Sequence, residues 1–210
     1  SFLSVLDNNG NGEPVSWDDN VTSGQGWSYG GELLMRKNTG KFTGWIGYTL
    51  SWTQMQFDEL NFGKKFYARY DRRHDISIVS VYHINKYITI SGTWVYGTGN
   101  AITLPLNNYS GNIYATPHTG NSTYPLNQST VYNIQDYGQQ RNAYRMSAYH
   151  RLDIGIQFSK ETKNYTRIFE FSLYNAYNQK NPYFYFIQGD SQGNQQLMQV
   201  SIFPIIPSVS

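Results

Sequence analysis

Apolar and polar residues alternate with a period of two along most of this chain, which predicts β-strands rather than helices. In Lys41–Gln56 the positions Phe42, Ile46, Tyr48, Leu50 and Trp52 are apolar, while Thr43, Gly47, Thr49, Ser51 and Thr53 between them are small or polar; Trp45 is the exception. Ile88–Tyr96 sets Ile88, Ile90, Trp94 and Tyr96 against Thr89, Ser91, Thr93 and Val95. Tyr144–Ser159 sets Leu152, Ile154, Ile156 and Phe158 against Arg145, Ser147, Arg151, Asp153, Gly155 and Gln157. Arg167–Asn178 and Trp27–Lys37 follow the same rule, whereas Asp75–Ile84 sorts poorly because Val79 and Val81 share a side with Asp75 and His83. Strands of about 9–11 residues suffice to cross a bilayer when tilted. Mid-strand charges such as Glu170 and Arg151 are costly against lipid but cheap against a wet or plugged lumen.

The connections alternate in length. Asn38-Thr39-Gly40 and Asn85-Lys86 are tight turns and Lys160–Thr166 is short, while Met55–Arg72, Thr98–Asn142 and Asn181–Gln195 contain long excursions. Short periplasmic turns alternating with long external loops is the arrangement of outer-membrane barrels. A strand leaving a short turn then climbs outward, which brings Trp27, Tyr29, Trp52, Trp94 and Tyr96 to one height as an aromatic girdle at the outer interface.

Composition sharpens this picture. Charged residues are only 14% of the chain and aromatics 17%, a balance that suits a surface meeting lipid or sugar. A formal net charge of +2 with scattered Lys and Arg builds no stripe for a phosphate backbone, so no nucleic-acid partner is expected. Without cysteine there is neither a disulfide framework nor a thiolate metal site. No apolar run approaches the roughly 18 residues of a transmembrane helix. A single unit covering 1–210 is expected.

Several blocks, in order, resemble the late strands of TonB-dependent receptors of the nutrient-importer group. They are Gly30-Gly31-Glu32-Leu33-Leu34 through Gly40-Lys41-Phe42-Thr43-Gly44-Trp45 to Tyr48-Thr49-Leu50-Ser51-Trp52; Tyr70-Asp71-Arg72-Arg73-His74-Asp75; Trp94-Val95-Tyr96-Gly97-Thr98-Gly99-Asn100-Ala101; Tyr149-His150-Arg151-Leu152-Asp153; and Tyr174-Asn175-Ala176-Tyr177-Asn178-Gln179-Lys180-Asn181-Pro182. The resemblance implies an all-β transmembrane antiparallel barrel, with this chain supplying about eight C-terminal strands of a 22-stranded, plugged barrel. It also implies a location in a Gram-negative-type outer membrane and partners beyond the chain: outer-membrane lipid, the rest of the barrel, the TonB complex reached through a plug domain, and in some members a surface lipoprotein lid. The segment Ile205-Ile206-Pro207-Ser208-Val209-Ser210 reads as the start of a last strand that stops before the family's terminal aromatic. The chain is thus expected to be cut at both ends.

Two clusters concentrate titratable groups: Asp71-Arg72-Arg73-His74-Asp75 and His150-Arg151-Leu152-Asp153. Each could serve acid/base or metal chemistry. The plainer reading is a lumen-side network of Asp71, Arg72, Arg73, Asp75, Arg151 and Asp153 that anchors loop ends. His83 and His118 complete no ligand set, and no nucleophile, phosphate-loop or dinucleotide motif is present. No catalysis, cofactor or metal is expected. The glycosylation triplets at Asn20, Asn108, Asn121, Asn127 and Asn164 are what an Asn-rich chain yields by chance. Tyr109, Tyr114, Tyr124, Tyr132 and Tyr137 in the longest connection offer faces for stacking on a sugar or gripping a peptide, or simply pack that loop. The expected function is TonB-dependent uptake of a ligand such as an oligosaccharide, peptide or metal chelate. Its rivals are a self-contained eight-stranded anchor or adhesin and a soluble carbohydrate-binding β-sandwich.

Overall fold

The computed structural model describes residues 21–104, 107–112, 131–136, 141–189 and 195–210, with backbone alone at 107–112 and 131–136. It is all-β and antiparallel. The strands are β1 (Gly24–Lys37), β2 (Phe42–Phe57), β3 (Phe66–Tyr67), β4 (His74–His83), β5 (Ile88–Gly97), β6 (Ala101–Ile102), β7 (Asn107–Asn112), β8 (Val131–Asp136), β9 (Tyr144–Arg145), β10 (Tyr149–Thr162), β11 (Tyr165–Tyr174), β12 (Pro182–Gly189), β13 (Gln195–Ser201) and β14 (Ile206–Val209). The main sheet runs β1-β2-β4-β5-β10-β11-β14, with the two-residue β3 added to the end of β2, so β1 and β14 are its edges. Three small antiparallel pairs, β6-β9, β7-β8 and β12-β13, lie in the long connections. Among the described residues no helix is long and apolar enough to cross a membrane.

The register fixes what the alternation alone left open. Directly opposed residues of an antiparallel ladder project to the same face. One row therefore joins Met35, Ile46, Ile78, Trp94 and Leu152, and another joins Phe42, Tyr82, Ile90, Ile156, Phe171 and Val209. The opposite face carries Glu32, Thr49 and Asp75 in one row and His83, Thr89, Gln157 and Glu170 in another. The register also sorts Asp75–Ile84: Ile76, Ile78 and Tyr82 belong to the apolar face, and Val79 and Val81 to the polar one. All five girdle residues share the apolar face, where Tyr29 stacks on Trp52 at 5.3 Å and Trp94 on Tyr96 at 6.0 Å between ring centroids.

Element bounds depart from the sequence reading at three places. The expected strand Tyr144–Ser159 is broken: Tyr144–Arg145 pairs with Ala101–Ile102, and β10 begins only at Tyr149. Alternation alone cannot detect a strand that changes partners. The turn Lys160–Thr166 is tighter than expected, because Thr162 already opposes Tyr165. The connection after β5 is not structureless, since it contains two paired segments, Ala101–Ile102 with Tyr144–Arg145 and Asn107–Asn112 with Val131–Asp136. At the first tight turn Gly40 has φ 92°, the left-handed region where a side chain is strained.

Candidate functional site

The long connections leave the sheet at one end, and the charged clusters gather there. Asp71 lies between β3 and β4, and its side chain has no exposed surface. Its Oδ1 accepts a 2.6 Å hydrogen bond from the Thr53 amide of β2, while its Oδ2 is gripped by Arg145 of β9 and lies 3.5 Å from Arg73 Nη2. Arg145 Nη1 also donates to the Asp71 and Gly99 carbonyls, at 2.6 and 3.2 Å. Gly99 is required here, because a Cβ would run into the Met146 carbonyl.

Around this carboxylate, rings and cations alternate. The Arg73 guanidinium sits 4.7 Å from the Trp52 ring centre and 5.3 Å from that of Tyr67, and Arg145 lies 5.2 Å from Tyr67 on its own account. With Tyr29 on Trp52 this makes a continuous array, Tyr29-Trp52-Arg73-Tyr67-Arg145. Arg72 and Asp75 pair outside it at 3.3 Å, largely exposed, where an ion pair contributes little.

The second cluster sits where β10 and β11 meet the loops. Arg151 holds Asp153 (Nη2–Oδ2 2.9 Å), donates to the hydroxyls of Tyr149 and Tyr174, and covers the Tyr174 ring at 4.1 Å. The second Asp153 oxygen accepts from the amide of Asn175, a fully buried residue at φ 54°. Asn is among the few residues that tolerate this conformation. Its side chain bonds Gln179 and the Phe203 carbonyl, and Asn181 exchanges two hydrogen bonds with the backbone of His150. The block Tyr174–Pro182 is thereby a built turn held from β10. Each histidine beside these clusters pairs with a phenol, His74 Nδ1 with Tyr48 at 2.9 Å and His150 Nδ1 with Tyr177 at 2.8 Å. Among the described residues no three His, Cys, Asp or Glu side chains converge as metal ligands do.

Among the long connections lies a cavity of about 620 Å³. It is bounded by Arg69 and Arg141, by Ile102 and Met146, and by the run Tyr183–Ile187 of β12. Among the described residues no carboxylate lines it, so the two guanidinium groups and the rings set its character: it suits an anionic or polar ligand with flat faces. Tyr185 is fixed at its wall by hydrogen bonds to Ser147 Oγ and Gln199 Oε1, both 3.0 Å.

The six residues of the anticipated charged network fall into two hubs and one outlying pair. Arg145, Asn175 and the cavity arginines were not anticipated. Arg145 is 74 positions from Asp71, and the β6-β9 pairing beside the β5-β10 ladder brings it back. Tyr114, Tyr124 and Tyr137 lie outside the described residues, and the side chains of Tyr109 and Tyr132 do too, as does His118. Comparison with family models, curated proteins and solved structures gave no match to this chain.

Proposed function

We propose that this chain is part of an outer-membrane β-barrel of the TonB-dependent receptor type, and that it serves uptake of a ligand captured at the loop end. The observation that carries this reading is the sorting of side chains by face. Across seven strands one face is apolar through its middle, and the mid-strand charges Glu32, Asp75, Arg151, Asp153 and Glu170 share the other. A soluble sandwich would cover its apolar face with a second sheet. Here Tyr29, Leu33, Ile46, Phe169 and Phe171 remain 45–57% exposed among the described residues. Lipid is the solvent that makes such a face stable.

On this reading the polar face turns to the lumen, the edges β1 and β14 join further strands, and the cavity beside Arg69 and Arg141 belongs to the ligand-facing mouth. A plug, the TonB complex and a surface lipoprotein are partners that the family resemblance suggests. The test is fractionation of the intact protein followed by uptake in cells with and without a working TonB system. Outer-membrane recovery with TonB-dependent uptake supports the proposal. Recovery in aqueous buffer without detergent refutes the membrane reading, and uptake indifferent to TonB refutes the transport one.

A further inference from the structure

The short-turn end of the sheet carries charge on the face that is otherwise apolar. Each of the three short turns places a cation on an aromatic ring: Lys37 over Phe42 at 5.9 Å, Lys86 over Tyr87 at 4.9 Å, and Arg167 over Tyr165 at 5.1 Å. At the β10-β11 turn Lys160 directly opposes Arg167, one step beyond the opposed rings Phe158 and Phe169 on the same face. Like charges facing each other across a ladder repel. The nearest carboxylate in sequence, Glu161, opposes Thr166 on the other face, and neither cation forms an ion pair among the described residues. The Lys86-Tyr87 turn is tied to the same spot, because Ser159 donates to both of their carbonyls, its amide to Tyr87 at 2.7 Å and its hydroxyl to Lys86 at 3.3 Å. A concavity of about 820 Å³ opens there between Tyr87, Phe158, Lys160, Arg167 and Phe169, and Glu161 also lines it.

We infer that this concavity binds the headgroup of an anionic phospholipid, with acyl chain lying along Phe158 and Phe169. Lys160 and Arg167 face each other in the lining with Glu161 as its one carboxylate among the described residues, which leaves a net positive charge to be met, and the rings beside them need hydrocarbon. A phosphodiester on a diacyl lipid supplies both. Guanidinium and ammonium groups are the usual phosphate partners, and a ring with a cation above it suits the depth where tails give way to headgroups. A soluble anion would satisfy the charges and leave the rings in water. The inference rests on the barrel reading for its orientation: short turns lie at the periplasmic side, so the lipid belongs to the inner leaflet.

The test uses the intact protein in nanodiscs of phosphatidylethanolamine with a minor share of phosphatidylglycerol, scoring retained lipid by native mass spectrometry. Phosphatidylglycerol should be enriched over its share, and Lys160→Gln with Arg167→Gln should lower that enrichment by roughly fivefold for each charge removed. Lys160→Arg should keep it. Heat-modifiable mobility of every variant reports whether the barrel has formed. Folded variants with undiminished enrichment overturn the headgroup site while leaving the barrel reading intact. Loss of the enrichment on adding glycerol 3-phosphate at millimolar concentration overturns it in favour of a soluble phosphate site. A protein that never enters the nanodisc contradicts the barrel reading itself.

Discussion

Asp71 is the residue on which the loop end turns. It is buried, it accepts from the Thr53 amide, and it is the shared counter-ion of Arg73 and Arg145. Removing one partner from such a group leaves charge uncompensated. The two arginines keep part of their surface in water, 24% and 30%, which softens the cost. Asp71→Ala should therefore destabilise by about 2–4 kcal/mol in a urea titration, whereas Asp75→Ala, which breaks only the exposed pair with Arg72, should cost under about 1 kcal/mol. Equal costs would mean that the Asp71 hub is ornamental. The sequence made the cluster around Asp71 visible, since Asp-Arg-Arg-His-Asp concentrates charge where a strand begins. It did not reveal which arginine seals the carboxylate. Arg145 is adjacent only through the fold, and a buried Asn at positive φ such as Asn175 leaves no mark in a period-two pattern.

At the scale of elements, five of the six long strands were legible because apolar and polar residues alternate along them even where the mean hydropathy is −0.56, whereas Asp75–Ile84 sorts only once its register is known. What could not be read was pairing inside long connections, where short strands lack enough residues to show a period. Ala101–Ile102 and Tyr144–Arg145 form such a pair, with Ala101 fully buried and the Met146 amide donating to the Asn100 carbonyl. This sets where the longest connection can be cut. Replacing 107–136 with a compact turn should leave barrel abundance and heat-modifiable mobility near wild type and lower ligand uptake, because the ladder of the main sheet does not pass through it. Extending the deletion to include Ala101 and Arg145 should reduce abundance as well. Unchanged uptake after the shorter deletion would deny that loop, and the tyrosines in it, any part in capture.

For the whole molecule the decisive feature is that, among the described residues, the main sheet has two edges, β1 and β14, and one uncovered apolar face. Unpaired backbone groups at an edge find no partner in hydrocarbon. Produced alone, the 210-residue chain should form no monomer with heat-modifiable gel mobility in detergent; a monomer that does so would favour a small closed barrel. The central claim is that one face meets lipid and the other a lumen, and refolding titrations of the intact protein with arginine placed on each face test it most directly. Leu50→Arg and Ile90→Arg, on the apolar face, should each cost about 2–4 kcal/mol, while Thr49→Arg and Ser91→Arg, one position away on the polar face, should cost far less. Equal losses on the two faces would contradict the barrel.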